Sequence, residues 1–286
     1  MAMIAMLSAK AAPGVTTGVA VLASVWPGPV IAVDADPAGG DLARGWLGQS
    51  IASGKLRNDV GVSSFAARTR QLGTGTPNMV VDHLQPMPNV RDGRLLVGLS
   101  GPAPIEPVEM SDWCRLAESL SGLCRRRPGD VDVLVDCGRF GPNTPWPLLT
   151  MADLVLLVVR PQRRFLYAAA EVVTMLGTLV EQHKLGLAVF GMAAGQDAHV
   201  RQVLGLTVGL RLPEDSRTAL VYSDGADRPS RLHRTALVRG AHLEATRLCR
   251  ALKPDLSGQG FVPDAVPADL TTIRGHLPLS AARRNT

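Results

Sequence analysis

Three stretches of this chain carry residue types that could handle an anion and a cation together. The first is Ser8-Ala9-Lys10-Ala11-Ala12-Pro13-Gly14-Val15-Thr16-Thr17, lying between an apolar run, Ile4–Leu7, and a helical stretch, Thr17–Val25. Loop amides and a helix N-terminus converge on an anion in such an arrangement. An ordinary strand-to-helix turn accounts for the small residues equally well. The second stretch, Val30–Leu42, reads as a buried strand ending in Asp34-Ala35-Asp36-Pro37. Two carboxylates there are costly to desolvate unless they meet a cation, water or donors. Asp34 is suited to a place near Mg²⁺ and Asp36 to orienting a water. The competing reading is an Asx turn capping the next helix, since Asp-Pro is a turn signal. The third, Asp132-Val133-Leu134-Val135-Asp136-Cys137-Gly138, is an apolar run that also ends in an acid. A rival hydrophobic-Asp segment, Met79–Asp82, lies in a region of weaker patterning.

The elements that must position these residues follow from the apolar pattern. Short runs recur at Ile4–Leu7, Val30–Val33, Leu95–Leu99, Val131–Val135, Leu154–Val159, Leu187–Phe190 and Val208–Leu212. Most are continuous rather than alternating, as in strands buried on both faces. Helical stretches at Thr17–Val25, Met110–Arg126, Arg164–Gln182 and Ala198–Leu204 separate several of them. The pattern predicts an α/β chain with a doubly wound, mostly parallel sheet of about seven strands. Ligands of such sheets bind at the carboxyl ends of the strands, where all three stretches end. Asp59–Gln71 reads as a helix, Leu72–Pro77 as a loop, and Arg231–Leu252 as a helix carrying five arginines. Past Lys253 the chain is rich in Pro, Gly and Asp without periodicity. The expected organisation is one domain over 1–253 and a flexible tail over 254–286.

Composition narrows the function classes. Of the 286 residues, 46% are hydrophobic but only 4% aromatic, so the core is expected to be built from Ala, Val and Leu. Scarce aromatics argue against a stacking platform for single-stranded nucleic acid. A net charge of +5 and a pI near 9.4 suit DNA, anionic lipid or an acidic partner without choosing among them, and equally suit a surface kept basic for solubility. Cys114, Cys124, Cys137 and Cys249 form no CxxC pair, which points to reduced, mostly buried thiols in a cytoplasmic protein. The opening MAMIAML has no basic leader and reads as a first strand. The longest apolar stretch, Gly18–Val33, is broken by Trp26-Pro27-Gly28-Pro29, so no span of a membrane is expected.

The order Lys-x-x-x-Gly-x-Thr-Thr, then a helix, then hydrophobic-Asp-x-Asp-Pro-x-x-Gly resembles the ParA/MinD family of deviant P-loop ATPases. The resemblance covers about residues 1–250. It implies ATP and Mg²⁺ as cofactors. Gly14, Thr16 and Thr17 would cradle phosphate, and Thr16, Asp34 and Asp136 would serve the metal, Asp136 through water. Gly138 would let the backbone approach the γ-phosphate. Lys10 and Asp36 would be catalytic, Lys10 by reaching the phosphates of a partner subunit in a homodimer. Leu212-Pro213-Glu214-Asp215 resembles the family's adenine-side loop, which assigns Pro213 and Asp215 to nucleotide binding. Ala152-Asp153 followed by Leu154–Val159 and Arg160-Pro161 resembles its next strand.

The departures from the family are as specific. Ala11 and Ala12 replace two glycines, and Val15 replaces the lysine that contacts the β- and γ-phosphates. A lost charge-assisted contact is worth about 1.5–3 kcal/mol, or roughly tenfold to a hundredfold in affinity. The family's adenine-binding Asn is also missing, and Phe190-Gly191 stands near its place. Nucleotide binding is therefore expected to be weak or vestigial. Degenerate loops of this kind resemble the pilus-assembly branch of the family. They imply a spatial organiser or adaptor for a pilus, secretion or partition assembly, working through a protein partner. A slow ATPase that dimerises around ATP is the first alternative, favoured by the kept Lys10, Thr16, Asp34, Asp36 and Asp136. Nonspecific DNA binding is the second, through Arg231–Arg250, Arg125-Arg126-Arg127 and Arg160/Arg163/Arg164. Each arginine group also reads as a solvated helix face. A membrane role is disfavoured, because Pro and Gly interrupt any helix through Leu270, Ile273, Leu277 and Leu279.

Overall fold

A computed structural model describes residues 2–10, 14–73, 77–99, 107–124, 131–192 and 197–252. Eight strands form its sheet: β1 (Met3–Ser8), β2 (Val30–Asp34), β3 (Gln85–Pro86), β4 (Gly93–Leu96), β5 (Asp132–Arg139), β6 (Leu154–Val159), β7 (Leu185–Phe190) and β8 (Val208–Leu212). Their order is β3-β4-β2-β5-β1-β6-β7-β8, and all neighbours are parallel except β3 with β4. The chain works outward from β1 through β2 to β4, returns as β5, then crosses β1 to β6. The winding direction reverses beside β1, and a crevice opens at such a switch point.

Side chains on each strand alternate between two cores. From β1, Met3, Ala5 and Leu7 enter one, and Ile4 and Met6 the other. The first core is covered by α3 (Val62–Leu72), α5 (Met110–Cys124) and α7 (Arg163–Leu176), through residues such as Phe65, Leu120 and Leu166. The second is covered by α1 (Val15–Ser24) and α10 (Ala236–Leu252), through Val19, Leu22, Ala241 and Leu248. Each fully buried Leu or Val contributes about 1.5–3 kcal/mol, so small aliphatic side chains hold the layers without many aromatics. Asp132 is buried yet satisfied: Ala2 N and Trp26 Nε1 donate to it at 3.0 and 2.9 Å.

The structure confirms the doubly wound α/β class and adds one strand to the expected seven. That strand, β3, is a two-residue antiparallel edge, where Pro86 is tolerated. The Gln85 amide pins it by accepting from Arg57 N at 2.8 Å and donating to Arg57 O and Val60 O at 2.7 and 2.8 Å. The rival segment Met79–Val81 lies on a helix, α4 (Pro77–Val81), and so is not a strand end. The long basic helix starts at Ala236 rather than Arg231. A 3₁₀ turn, Leu232–Arg234, precedes it, leaving Arg231 and Arg234 outside the helix. The remaining helices are α2 (Leu47–Ala52), entered through a π-helical turn at Leu42–Trp46, α6 (Trp146–Thr150), α8 (Asp197–Leu204) and α9 (Ser216–Ser223). Arg125–Arg127 and the tail 254–286 lie outside the described residues. Among the described residues, no helix is long and apolar enough to cross a membrane.

Candidate functional site

The turn after β1 begins with Lys10, which is exposed. Ala11, Ala12 and Pro13 lie outside the described residues. The chain then enters α1 through Gly14 at φ 99°, a left-handed conformation that favours glycine. Val15, the first residue of α1, is only 6% exposed and packs in the second core. The position at which the resembling family presents a lysine to phosphate is here part of the hydrophobic interior. Thr16, one residue on, sets its hydroxyl near the Asp136 carboxylate, where it favours the charged form.

The parallel register of β2 and β5 sets Asp34 opposite Asp136. Both are 1% exposed. Asp34 Oδ2 accepts from Leu42 N at 2.9 Å, and Asp136 Oδ1 accepts from Gly138 N at 2.8 Å. The second oxygen of each, Asp34 Oδ1 and Asp136 Oδ2, is buried with no hydrogen-bond partner. Asp34 fits its slot because Gly40 and Gly98 lack side chains. A Cβ on Gly40 would stand 2.7 Å from Asp34 Oδ2, and one on Gly98 2.6 Å from Asp34 Cγ. Asp36 is half-buried, and Ala38 N donates to its Oδ1 at 2.8 Å. Its carboxyl occupies the space beside Gly138, where a Cβ would lie 2.1 Å from Asp36 Cγ. Gly138 also has φ +64°. Its freedom from a side chain is therefore spent first on Asp36, ahead of any approach to phosphate.

These environments move the acids in one direction. Burial and the Asp136 charge push Asp34 well above the usual carboxylate range. Burial lifts Asp136 to about 6, against the lowering effect of the Thr16 hydroxyl and the Gly138 amide. Burial also raises Asp36, opposed by the Ala38 amide and the Arg139 charge. Two facing carboxylates, each with a bare buried oxygen, are stable only with a proton or a cation between or beside them. The donor set fits Mg²⁺, which takes one or two carboxylates and fills its other positions with water and phosphate oxygens. Thr16, Asp34 and Asp136 are the residues that would hold it. Among the described residues, no group of three or more acids, imidazoles or thiols forms a self-contained metal site, so such an ion would depend on water or phosphate for much of its shell.

A cleft of about 190 Å³ opens on the other side of α1, at the ends of β7 and β8. Gly14, Thr17, Pro213 and Asp215 all line it. The Phe190 ring forms one wall and lies against the start of α1. A Cβ on Gly18 would stand 2.6 Å from Phe190 Cζ, and one on Gly14 3.3 Å from Cδ2. Glu214 bridges to Arg160 at 2.7 Å and leans on Gly191, where a Cβ would meet its Oε2 at 2.3 Å. Asp215 is engaged by the protein itself. It caps α9, accepting from Thr218 N at 3.1 Å and Thr218 Oγ1 at 2.8 Å, and it accepts from Leu237 N at the start of α10 at 3.4 Å. Pro213 is a wall residue, packed on Gly240.

The fold thus gathers Thr16, Asp34, Asp36, Asp136 and Gly138 at one place, and Gly14, Thr17, Pro213 and Asp215 at a second beside it. Lys10 stands exposed where the first turn begins. Sequence reading missed Gly18 and Gly98, and it took Gly40 only as the last residue of the Asp-x-Asp-Pro-x-x-Gly order. Gly18 gave a signal, since a glycine inside a helix costs about 1 kcal/mol and is retained where something packs close. Gly98 gave none, because only the tertiary fold brings it to Asp34.

No family model and no curated protein matches this chain. Solved structures do. A ParA family ATPase from Chlorobium tepidum superposes with a TM-score of 0.64 at 15% identity, over 86% of this chain and 98% of that one. The septum site-determining protein MinD of Pyrococcus horikoshii, complexed with Mg-ADP, gives 0.62 at 15% identity over 86% and 95%. A substituted McdA from Cyanothece in complex with ATP gives 0.60 at 15% identity over 92% and 99%. At these identities the likeness is one of fold: the chain has the ParA/MinD-like α/β architecture over nearly the whole length of each neighbour.

Proposed function

We propose that this chain is a ParA/MinD-like protein with impaired or absent ATP hydrolysis, acting as a spatial organiser or adaptor for a pilus, secretion or partition assembly. One observation carries the reading. Val15 is folded into the core at the point where the resembling family places its phosphate lysine, while the acids that would serve a metal remain clustered and unsatisfied. Phosphoryl transfer depends on preorganised positive charge around the moving group, and Val15 supplies none. Mg²⁺, when bound, would contribute charge neutralisation next to the phosphates. Thr16 and Asp136 would hold its water shell, Asp34 would add charge, and Asp36 would hold a water by hydrogen bonding. Such a site can bind nucleotide weakly as a conformational ligand and leave the work to surfaces that meet a protein partner.

Calorimetry of the purified chain with ATP, with and without Mg²⁺, tests this alongside a turnover assay. The expected result is weak, Mg²⁺-dependent binding and turnover far below that of an intact family member. Ordinary turnover that Asp36→Ala abolishes would overturn it. That outcome would favour the second reading, a slow ATPase dimerising around ATP. The Thr16 hydroxyl near Asp136 and the exposed Lys10 support that alternative.

A further inference from the structure

A second concavity, about 770 Å³, runs along the N-terminal half of α10. Val25, Pro213, Val238 and Leu243 give it apolar walls, and Leu243 is 70% exposed. Its polar lining is Arg239, His233 and His242, with no acidic side chain among the described residues. A groove of this kind takes an extended peptide that is apolar and carries carboxylates. A second copy presenting the same face would bring arginine against arginine.

We propose that the occupant is the chain's own segment Phe261–Leu270. Residues 254–273 contain Asp255, Asp264 and Asp269 and no Lys or Arg, in a chain whose net charge is +5. Within them, Phe261, Val262, Val266 and Leu270 alternate with Asp264 and Asp269, while Pro263 and Pro267 favour an extended backbone. The charge is complementary to Arg239, and the apolar residues match the walls. The reach also closes. From Leu252, the last residue of α10, back to Leu243 is about 14 Å, and back to Ala236 about 24 Å. Lys253–Phe261, nine residues, spans up to about 30 Å when extended. A tether of that length holds the segment at an effective concentration on the order of 1 mM, so a groove with an intrinsic dissociation constant near 0.1 mM would be about nine-tenths filled. Pro213 belongs both to this groove and to the cleft beside Phe190. The seated tail therefore touches a wall of the candidate nucleotide cleft, and an acidic, apolar partner peptide would have to displace it to dock.

The test uses a fluorescent peptide with the sequence of residues 258–272, titrated into full-length chains. The natural chain, already occupied, should bind it about tenfold more weakly than the variant Asp264→Lys/Asp269→Lys, whose own tail is released. In that variant, Arg239→Glu should weaken the peptide at least tenfold, and in a chain carrying Arg239→Glu with its natural tail, a peptide with both Asp replaced by Lys should bind. Arg239 is exposed, so its replacement leaves the fold intact, and circular dichroism checks this. Equal affinity for the natural and tail-swapped chains would overturn the proposal, as would no binding to either. A natural chain that sediments as a dimer, and turns monomeric on Asp264→Lys/Asp269→Lys, would also overturn it, because the tail would then dock on another copy.

Discussion

At the carboxyl ends of β2 and β5, two facing acids each keep one buried oxygen without a partner. At the ends of β7 and β8, the polar groups mostly satisfy one another. Asp215 caps α9, Glu214 bonds Arg160, and Phe190 fills the angle against α1. Only Arg160 Nε is left over among the described residues there. The first region is incomplete without a cation or a proton, whereas the second is closed on itself. A site that had merely decayed would be expected to lose its costly buried acids first. Here the costly acids are present and unsatisfied while the other half is closed, which is the contrast on which the proposed function rests.

The largest expected effect is on the acidic side. Asp136 binds its proton more tightly folded, at about 6, than at its ordinary 3.8. Its raised value means that stability is fully present below about pH 4 and is lost as pH rises through 6. A shift of this size corresponds to about 3 kcal/mol, and Asp34 acts in the same direction. Asp112 and Asp215 are shifted downward and act oppositely, losing stability in acid. The difference between the natural chain and Asp136→Asn isolates the effect. In chelator at pH 7.5, urea unfolding should show Asp136→Asn more stable by about 3 kcal/mol, with the gap closing near pH 4. Millimolar Mg²⁺ should narrow the gap at pH 7.5 by stabilising only the natural chain. A gap that ignores both pH and Mg²⁺ would remove the contrast between the two regions.

Restoring the missing cation comes next. Val15→Lys with Ala11→Gly and Ala12→Gly should raise ATP affinity by roughly tenfold to a hundredfold, the worth of one charge-assisted contact. The valine is buried, so the new side chain must lay its stem along the core and bring its ammonium out toward Thr16, as long cationic side chains do. Calorimetry and thermal unfolding are read together. A gain in affinity with little loss of melting temperature supports an acidic side awaiting a cation. A lower melting temperature with no gain would show that the turn can no longer present a charge to phosphate.

Much of this was legible in the amino-acid sequence, and the exceptions have physical reasons. The seven principal strands are short, continuous apolar runs, which is what burial on both faces demands, and all seven appear. β3 was not legible, because Gln85-Pro86 has no apolar pattern and is held by side-chain bonds to Arg57 and Val60. The π-helical turn at Leu42–Trp46 depends on Asp34 holding Leu42 N, a tertiary fact. α9 was missed although Asp215 followed by Thr218 is a helix-start signal. The resemblance of Leu212-Pro213-Glu214-Asp215 to an adenine-side loop points the same aspartate toward nucleotide. Asp34, Asp36 and Asp136 were found because costly residues at strand ends stand out. The environment that makes them costly, namely Gly40, Gly98 and the packing of Val15, emerges only when the strands are laid side by side.

A smaller effect is expected at Gly138. Alanine there must adopt a left-handed conformation, which costs about 1–2 kcal/mol, and its Cβ falls on the Asp36 carboxyl. Gly138→Ala should therefore destabilise the chain and swing Asp36 away from its Ala38 hydrogen bond. Asp36→Ala should relieve the clash, so the double variant should lose less than Gly138→Ala alone relative to its own background. Simple additivity in a double-mutant cycle would show that Asp36 does not occupy the space beside Gly138.

The smallest effect belongs to the closed region. Arg160 and Glu214 form a partly exposed ion pair at the cleft wall, with side chains 29% and 50% exposed, and pairs of that kind contribute about 0–1 kcal/mol. Glu214→Ala should accordingly leave the melting temperature nearly unchanged. Its effect should appear in binding instead. The substitution removes a carboxylate from beside the cleft and frees the Arg160 guanidinium, so ATP should gain a few-fold in affinity. Adenosine separates the two causes. A neutral ligand gains only from the wider cleft, so ATP should gain more than adenosine if the freed arginine meets phosphate. Equal gains would mean that the pair acts as a steric gate. No gain for either ligand, in a variant that folds normally, would show that the space between Phe190 and Asp215 does not receive a nucleotide, leaving the acidic cluster as the only part of the site open to one.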